Sequence, residues 1–290
     1  MFDLTEKYAI VRCSNPQPPQ VREEIEKVCS VLSADGAQAV IGKYLFTDED
    51  RFTPGWVRAE ELMKLYNTDG VANIFDISGG DMGNDVLDYL DYEAIAKSGA
   101  TFWGYSDLST VINAIYAKSG KISCLYQIRN LVRDTTGARL RDFEDWRKRG
   151  DETLFQFEYQ FLRGGTVEGI VVGGNIRCLL KLAGTEYFPD MGGKILLLEA
   201  LSGEHPQIAA QFGQLRQLGV FKKVQAVVLG TFSKMEETGA LPTVEEIALQ
   251  YIPENVAVIK TKQVGHGRSA KAVLIGHPYR FEKTVEIDKT

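Results

Sequence analysis

The 290-residue chain is 44% hydrophobic and 10% aromatic, enough to fill two cores, and two domains are expected at 1–150 and 151–290. Its net charge of −6 argues against a nucleic-acid partner, which wants a basic face, and its four dispersed cysteines form no C-x-x-C pair of a zinc site. No apolar run approaches the ~20 residues of a membrane helix, and the first residues lack a signal-peptide layout, so a cytoplasmic protein with buried free thiols is expected.

In chain order, an apolar run at 8–13 predicts a buried strand. Val21, Ile25, Val28, Val31 and Leu32 then recur at helical spacing across 19–32. A strand at 37–41, a helix at 54–66 and a strand at 70–76 follow. Short helices are expected near 86–90 and 92–98, then a strand ending at Gly104, a helix to Ser119 and a strand at 121–126. Strands alternating with helices in this way predict a doubly wound parallel sheet.

Two loops of this half sit after strands, where such sheets bind ligands. In Ile77-Ser78-Gly79-Gly80-Asp81, paired glycines let backbone N–H groups approach a ligand, or simply make a turn. No G-x-G-x-x-G and no G-x-x-x-x-G-K-[ST] supports a nucleotide site. Ser106, in Gly104-Tyr105-Ser106-Asp107, stands at a strand-to-helix corner. Such a serine is either an N-cap or an exposed nucleophile backed by unpaired helix N–H groups. The charged, aromatic run 139–149 predicts a solvated amphipathic helix, or else a cover that brings arginines to a substrate carboxylate.

The second half predicts strands at 154–162, 167–172, 194–199, 224–229, 255–260 and 272–275, with helices at 176–182, 206–218 and 244–250. Glu199 closes an apolar strand, where an ionised carboxylate needs a partner unless it is already emerging into solvent. His266 lies between two glycines after another strand, as a loop residue or as an imidazole held at a loop tip. Serine, acid and histidine each just past a strand suit a triad, but their order says nothing about geometry.

The motifs Gly104-Tyr105-Ser106-Asp107, Leu198-Glu199-Ala200, Val264-Gly265-His266-Gly267, Gly173-Gly174-Asn175 and Gly184-Thr185 together resemble the LD-carboxypeptidase family of serine peptidases. That family also contains the microcin C immunity peptidases. The resemblance implies an α/β protein, an N-terminal Rossmann-like doubly wound parallel sheet plus a C-terminal swivelling β/α/β-type domain. It implies hydrolysis of an amide, in a small peptide or peptide conjugate, without metal or cofactor and in a homodimer, while charge and hydropathy leave no nucleic-acid or membrane partner expected. Ser106 would be the nucleophile, His266 the general base and then acid, and Glu199 its orienting carboxylate. The N–H groups of Gly79 or Gly80 and of Asp107 would form the oxyanion hole. The expected reaction releases D-alanine from a murein tetrapeptide. Cleavage of microcin-type conjugates, or a non-catalytic binding protein on the same scaffold, are the alternatives. Family members usually carry arginine where Ser78 stands and further acids where Ala200-Leu201-Ser202 follow Glu199, so the substrate pocket departs from the pattern. Ser78, Asp81, Arg163 and the arginines of 129–149 are the candidates to bind substrate, while His205 and His277 are expected to be dispensable.

Overall fold

In the computed structural model, which describes residues 7–46 and 52–283, the alternation of the first half becomes one parallel sheet. Its strands β1 (Lys7–Val11), β2 (Gln38–Ile41), β3 (Val71–Asp76), β4 (Thr101–Gly104) and β5 (Ser123–Leu125) lie in the order β5-β4-β3-β1-β2. Successive β1 residues are buried on opposite faces, as a sheet covered on both sides requires. Ala9 and Val11 belong to the apolar cluster of α2 (Gly55–Tyr66), α3 (Tyr92–Lys97) and α4 (Ser109–Ser119), whereas Tyr8 and Ile10 belong to that of α1 (Arg22–Leu32). The order of strands reverses between β1 and β3, which opens a crevice beyond their carboxyl ends. The glycine loop enters that crevice, followed by a 3-10 turn at Gly83–Tyr89.

After α5 (Asn130–Arg133), the charged run forms α6 (Ala138–Arg149). Phe143 and Trp146 pack on Trp103, while Arg139, Arg147 and Arg149 pair with Asp142, Asp35 and Asp145. It is therefore an amphipathic helix clamped to the sheet's face, not a cover.

The second sheet has β6 (Gln160–Arg163), β7 (Val167–Asn175), β8 (Ile195–Ala200), β9 (Ala226–Phe232), β10 (Ala257–Lys260) and β12 (Pro278–Phe281), in the order β12-β7-β8-β9-β10-β6. The inner four run parallel, and both edges are antiparallel. Between them lie α7 (Ile176–Leu180), α8 (His205–Gln217), α9 (Ser233–Thr238) and α10 (Val244–Tyr251). Only the last part of the expected 154–162 strand forms. Leu154 and Phe155 instead turn into the aromatic cluster under α6, and the Leu154 carbonyl accepts the Ala272 N–H. β11 (Val273–Ile275) leaves this half and pairs antiparallel with β5 in the first sheet.

The two halves lock where β7 crosses α4. The Asn113 side chain exchanges hydrogen bonds of 2.8 and 2.9 Å with the Gly173 backbone, and Ser109 Oγ accepts the Asn175 N–H at 2.9 Å. Gly174 is needed for that approach, since a Cβ there would lie 2.6 Å from Ser109 Oγ. One apolar cluster runs through the contact, joining Ala114 and Ile115 to Val171 and Leu197.

Candidate active site

β4 ends at Gly104, where a Cβ would press to 2.7 Å from Leu108 Cβ, so the following turn is tight. Ser106 takes φ 54°, the one positive value of a non-glycine residue among the described residues. This conformation is costly for a residue with a Cβ and persists only where the surrounding structure imposes it. The Asp107 carboxylate behind it is fully buried. It accepts Ser14 Oγ–H and the Gly83 N–H at 2.6 Å each, and Lys181 Nζ at 2.5 Å. The turn is thus pinned to the β1 loop, the glycine loop and the end of α7.

The glycine loop borders the serine. A Cβ on Gly79 would lie 3.7 Å from Ser106 Cβ, and Gly80 at φ 125° leaves room for the Asn15 side chain. The Gly79 and Gly80 N–H groups meet no acceptor among the described residues. The Asp107 N–H opens a helical turn, where the helix itself supplies none. These donors are free to meet an anion.

Glu199 is the penultimate residue of β8 and its side chain is 2% exposed. Its Oε2 lies 2.6 Å from His266 Nδ1. Glycines make the space, for a Cβ at Gly230 would come within 3.0 Å of Glu199 Cβ. Burial works against the imidazolium of His266, but the charge and hydrogen bond of Glu199 outweigh it and raise the pKa above the ordinary value. His266 Nε2 is buried without a hydrogen-bond partner, in a cavity of about 20 Å³ that Ser106, Tyr105 and Gln127 also line. The Tyr105 ring tilts against the imidazole at 5.8 Å, its hydroxyl held by Arg129 at 2.9 Å. Ser106 also borders a cleft of about 140 Å³ with Gly80, Asp81, Asn175 and Arg177.

Ser106, Glu199, His266, Gly79, Gly80, Asp107 and Asp81 therefore come together. Ser78 and Arg163 do not. Ser78 is fully buried, donating to Asp76 at 2.5 Å and accepting the Ser14 N–H at 2.9 Å, so its hydroxyl shapes the loop from beneath. Arg163 pairs with Val258 near the start of β10, while the site lies beyond strand ends. Its guanidinium satisfies the carbonyls of Ile252, Pro253 and Val256 after α10. The arginines of 129–149 are likewise committed, Arg129 to Gln17, Tyr105 and Glu24, and Arg133 to Glu24. His205 opens α8 and His277 lines a separate aromatic groove. No local motif marks Arg177 and Lys181, and their only hint in the sequence is that they stand four residues apart, two and six after the Asn175 cap of α7.

Residues 9–126 match the LD-carboxypeptidase N-terminal domain, and residues 168–281 match the LD-carboxypeptidase C-terminal domain. The chain belongs to the LD-carboxypeptidase family. It is accordingly a serine peptidase. It is 29% identical over 246 residues to the microcin C7 self-immunity protein MccF of Escherichia coli, covering 72% of this chain and 70% of that one. It is 25% identical over 285 residues to a Bacillus subtilis protein named "Probable murein peptide carboxypeptidase", covering 90% and 85%. Among solved structures, MccF in complex with aspartyl sulfamoyl adenosine superposes with a TM-score of 0.83 at 22% identity, covering 97% of this chain and 94% of that one. The muramoyltetrapeptide carboxypeptidase from Oxalobacter formigenes gives 0.78 at 22%, covering 96% and 95%. Both show that the two-sheet fold is the family's. Among the described residues no helix is long and apolar enough to cross a membrane.

Proposed function

We propose that this peptidase cuts the amide between an L-centre and a terminal D-amino acid, converting a murein tetrapeptide to a tripeptide. The observation that carries the reading is the imidazole of His266, its Nδ1 on buried Glu199 and its unpaired Nε2 in the cavity shared with Ser106. Ser106 Oγ attacks the carbonyl carbon as its proton passes to Nε2, and Glu199 stabilises the imidazolium. The tetrahedral oxyanion lies against the N–H groups of Gly79 or Gly80 and of Asp107, each such donor contributing ~10²–10³-fold in rate. Collapse breaks the C–N bond, and Nε2 returns the proton to the departing amine of D-alanine. Water then gives its proton to Nε2 and attacks the ester, and the C–Oγ bond breaks as Nε2 returns that proton to Ser106 Oγ. In this reading the enzyme works in the cytoplasm as a homodimer.

A second reading has its own support. The likeness to MccF favours an aminoacyl-nucleotide conjugate as substrate, with the same serine chemistry.

Incubating L-Ala-D-Glu-meso-diaminopimelate-D-Ala with the wild type and with Ser106→Ala, followed by mass spectrometry, separates these. The first reading expects D-alanine from the wild type and a loss of ~10³-fold or more in the variant. If the wild type releases none while a fluorophosphonate still labels Ser106, the substrate assignment fails and the conjugate reading takes its place.

A further inference from the structure

Cationic side chains around Ser106 are nearly all consumed by the fold. Lys181 is held by the Asp107 carboxylate and the Asp81 carbonyl, Lys271 by Asp142 and the Thr153 carbonyl, and Arg129 by Gln17, Tyr105 and Glu24. Arg268, two residues past His266, lines neither the cavity nor the cleft. Arg177 differs, for it lines the cleft beside Ser106 and its side chain is 44% exposed. Its partner there is Asp81, whose side chain is 68% exposed and lines the same cleft.

The backbones beneath both side chains are fixed, and their charged ends meet each other at a partly exposed cleft. Arg177 rides on α7, whose Ile176, Cys178, Leu179 and Leu180 are buried, and it also donates to the Gly80 carbonyl at 2.9 Å. The Asp81 N–H is bonded to Asn15 Oδ1 at 3.0 Å, and its carbonyl accepts Lys181 at 2.8 Å. An ion pair this exposed adds little to stability. Its place at the mouth of a reactive serine calls for another role.

Charge balance narrows what the pair accepts. A lone carboxylate arriving at Arg177 meets the repulsion of Asp81, and a lone ammonium meets the converse. A head that carries both charges on one carbon replaces each contact with a matching one. Net-neutral site and net-neutral ligand are then complementary point by point.

We propose that Arg177 and Asp81 form a receptor for a zwitterionic amino-acid head on the substrate, the guanidinium taking its carboxylate and Asp81 its ammonium. The proposal rests on the carboxypeptidase reading above and deepens it, naming the feature of the peptide that the cleft reads. The D-centre of meso-diaminopimelate carries such a head. Arg177 also opposes protonation of His266, so the guanidinium is close enough for its charge to be felt at the imidazole.

The test uses calorimetric binding to the Ser106→Ala protein, which holds the peptide without cutting it. Three tetrapeptides are compared: unmodified, amidated on the D-centre carboxylate, and acetylated on the D-centre amine. Each block should weaken binding about 10- to 100-fold, as loss of a charge-assisted hydrogen bond does. Adding Arg177→Met should abolish the penalty for amidation and keep that for acetylation, and Asp81→Asn should do the reverse. Equal binding of all three peptides overturns the receptor, and so does an Arg177→Met protein that weakens them all alike. Because the blocked peptides probe the unaltered pair, a misfolded variant does not shield the proposal. D-alanine release by the wild type is read separately. If the binding pattern holds and no peptide is cut, the receptor stands and the carboxypeptidase reading falls.

Discussion

His266 is pulled in two directions. Burial disfavours its charged form, and the adjacent Glu199 more than compensates, so its pKa lies above the ordinary 6.5. In the proposed mechanism the base form takes the serine proton, so kcat/KM should fall as pH drops through a value above 6.5. Glu199→Gln removes both raising effects and leaves burial and the charge of Arg177, which both lower the pKa. Its acid limb should therefore move to lower pH, while the plateau falls ~10²–10⁴-fold because the amide no longer fixes the tautomer. Parallel pH–rate profiles of the two proteins check this. An acid limb that stays in place would assign the titration to another group. The same shift has a stability consequence of definite sign. A raised folded-state pKa makes the His266–Glu199 pair fully stabilising below the unfolded value of ~6.5 and progressively less so as pH rises through the folded value.

At the scale of one element, α7 is short but joins the halves. Its apolar residues enter the second core, and Lys181, just past its end, crosses to the Asp107 carboxylate behind Ser106. Lys181→Met leaves that buried carboxylate with Ser14 Oγ–H and the Gly83 N–H alone. Since Lys181 is 20% exposed, the loss should fall below that of a fully buried pair, ~2–3 kcal/mol by urea denaturation. Turnover should fall ~10-fold as the Ser106 turn relaxes, since a small misplacement of reacting groups is costly. Full turnover in a destabilised Lys181→Met protein would make the bridge purely structural. Bridges of this kind were not legible in the sequence, because 74 residues separate Asp107 from Lys181 and neither has a local pattern that points to the other. Elements with strong periodicity were legible, as α1 and β8 show. β12 escaped because Pro278–Phe281 alternates exposed and covered residues at a sheet edge and owes its strand to pairing with β7. Ser106, Glu199 and His266 were legible as motifs, yet only the glycines at 230 and 265 and the close Nδ1–Oε2 contact turn them into a site.

Across the whole molecule, a cut at 150 would take β11 from the first sheet and divide one apolar cluster that both halves share. β11 closes the edge of the first sheet, setting Val273, Leu274 and Ile275 opposite Leu125, Cys124 and Ser123. Without it the three-residue strand β5 keeps one unpaired edge, and its buried side chains lose their cover. The Asn113 bonds to Gly173 and the apolar cluster shared by α4, β7 and β8 would be lost in the same cut. The first half alone therefore exposes the apolar surface that α4 and β5 bury against the second half, a loss on a scale comparable with the ~5–15 kcal/mol that holds a domain folded. The intact chain should melt in a single transition by circular dichroism and by calorimetry. A fragment of residues 1–150 should show no cooperative transition by itself, and should regain one when co-expressed with 151–290. A cooperative melt of the isolated first fragment would mean that β11 and the α4 contact are additions to a self-sufficient domain. The site would then be formed by docking, with turnover of mixed halves depending on their concentration, whereas a cooperative whole keeps Ser106 and His266 on one cavity as a property of the fold.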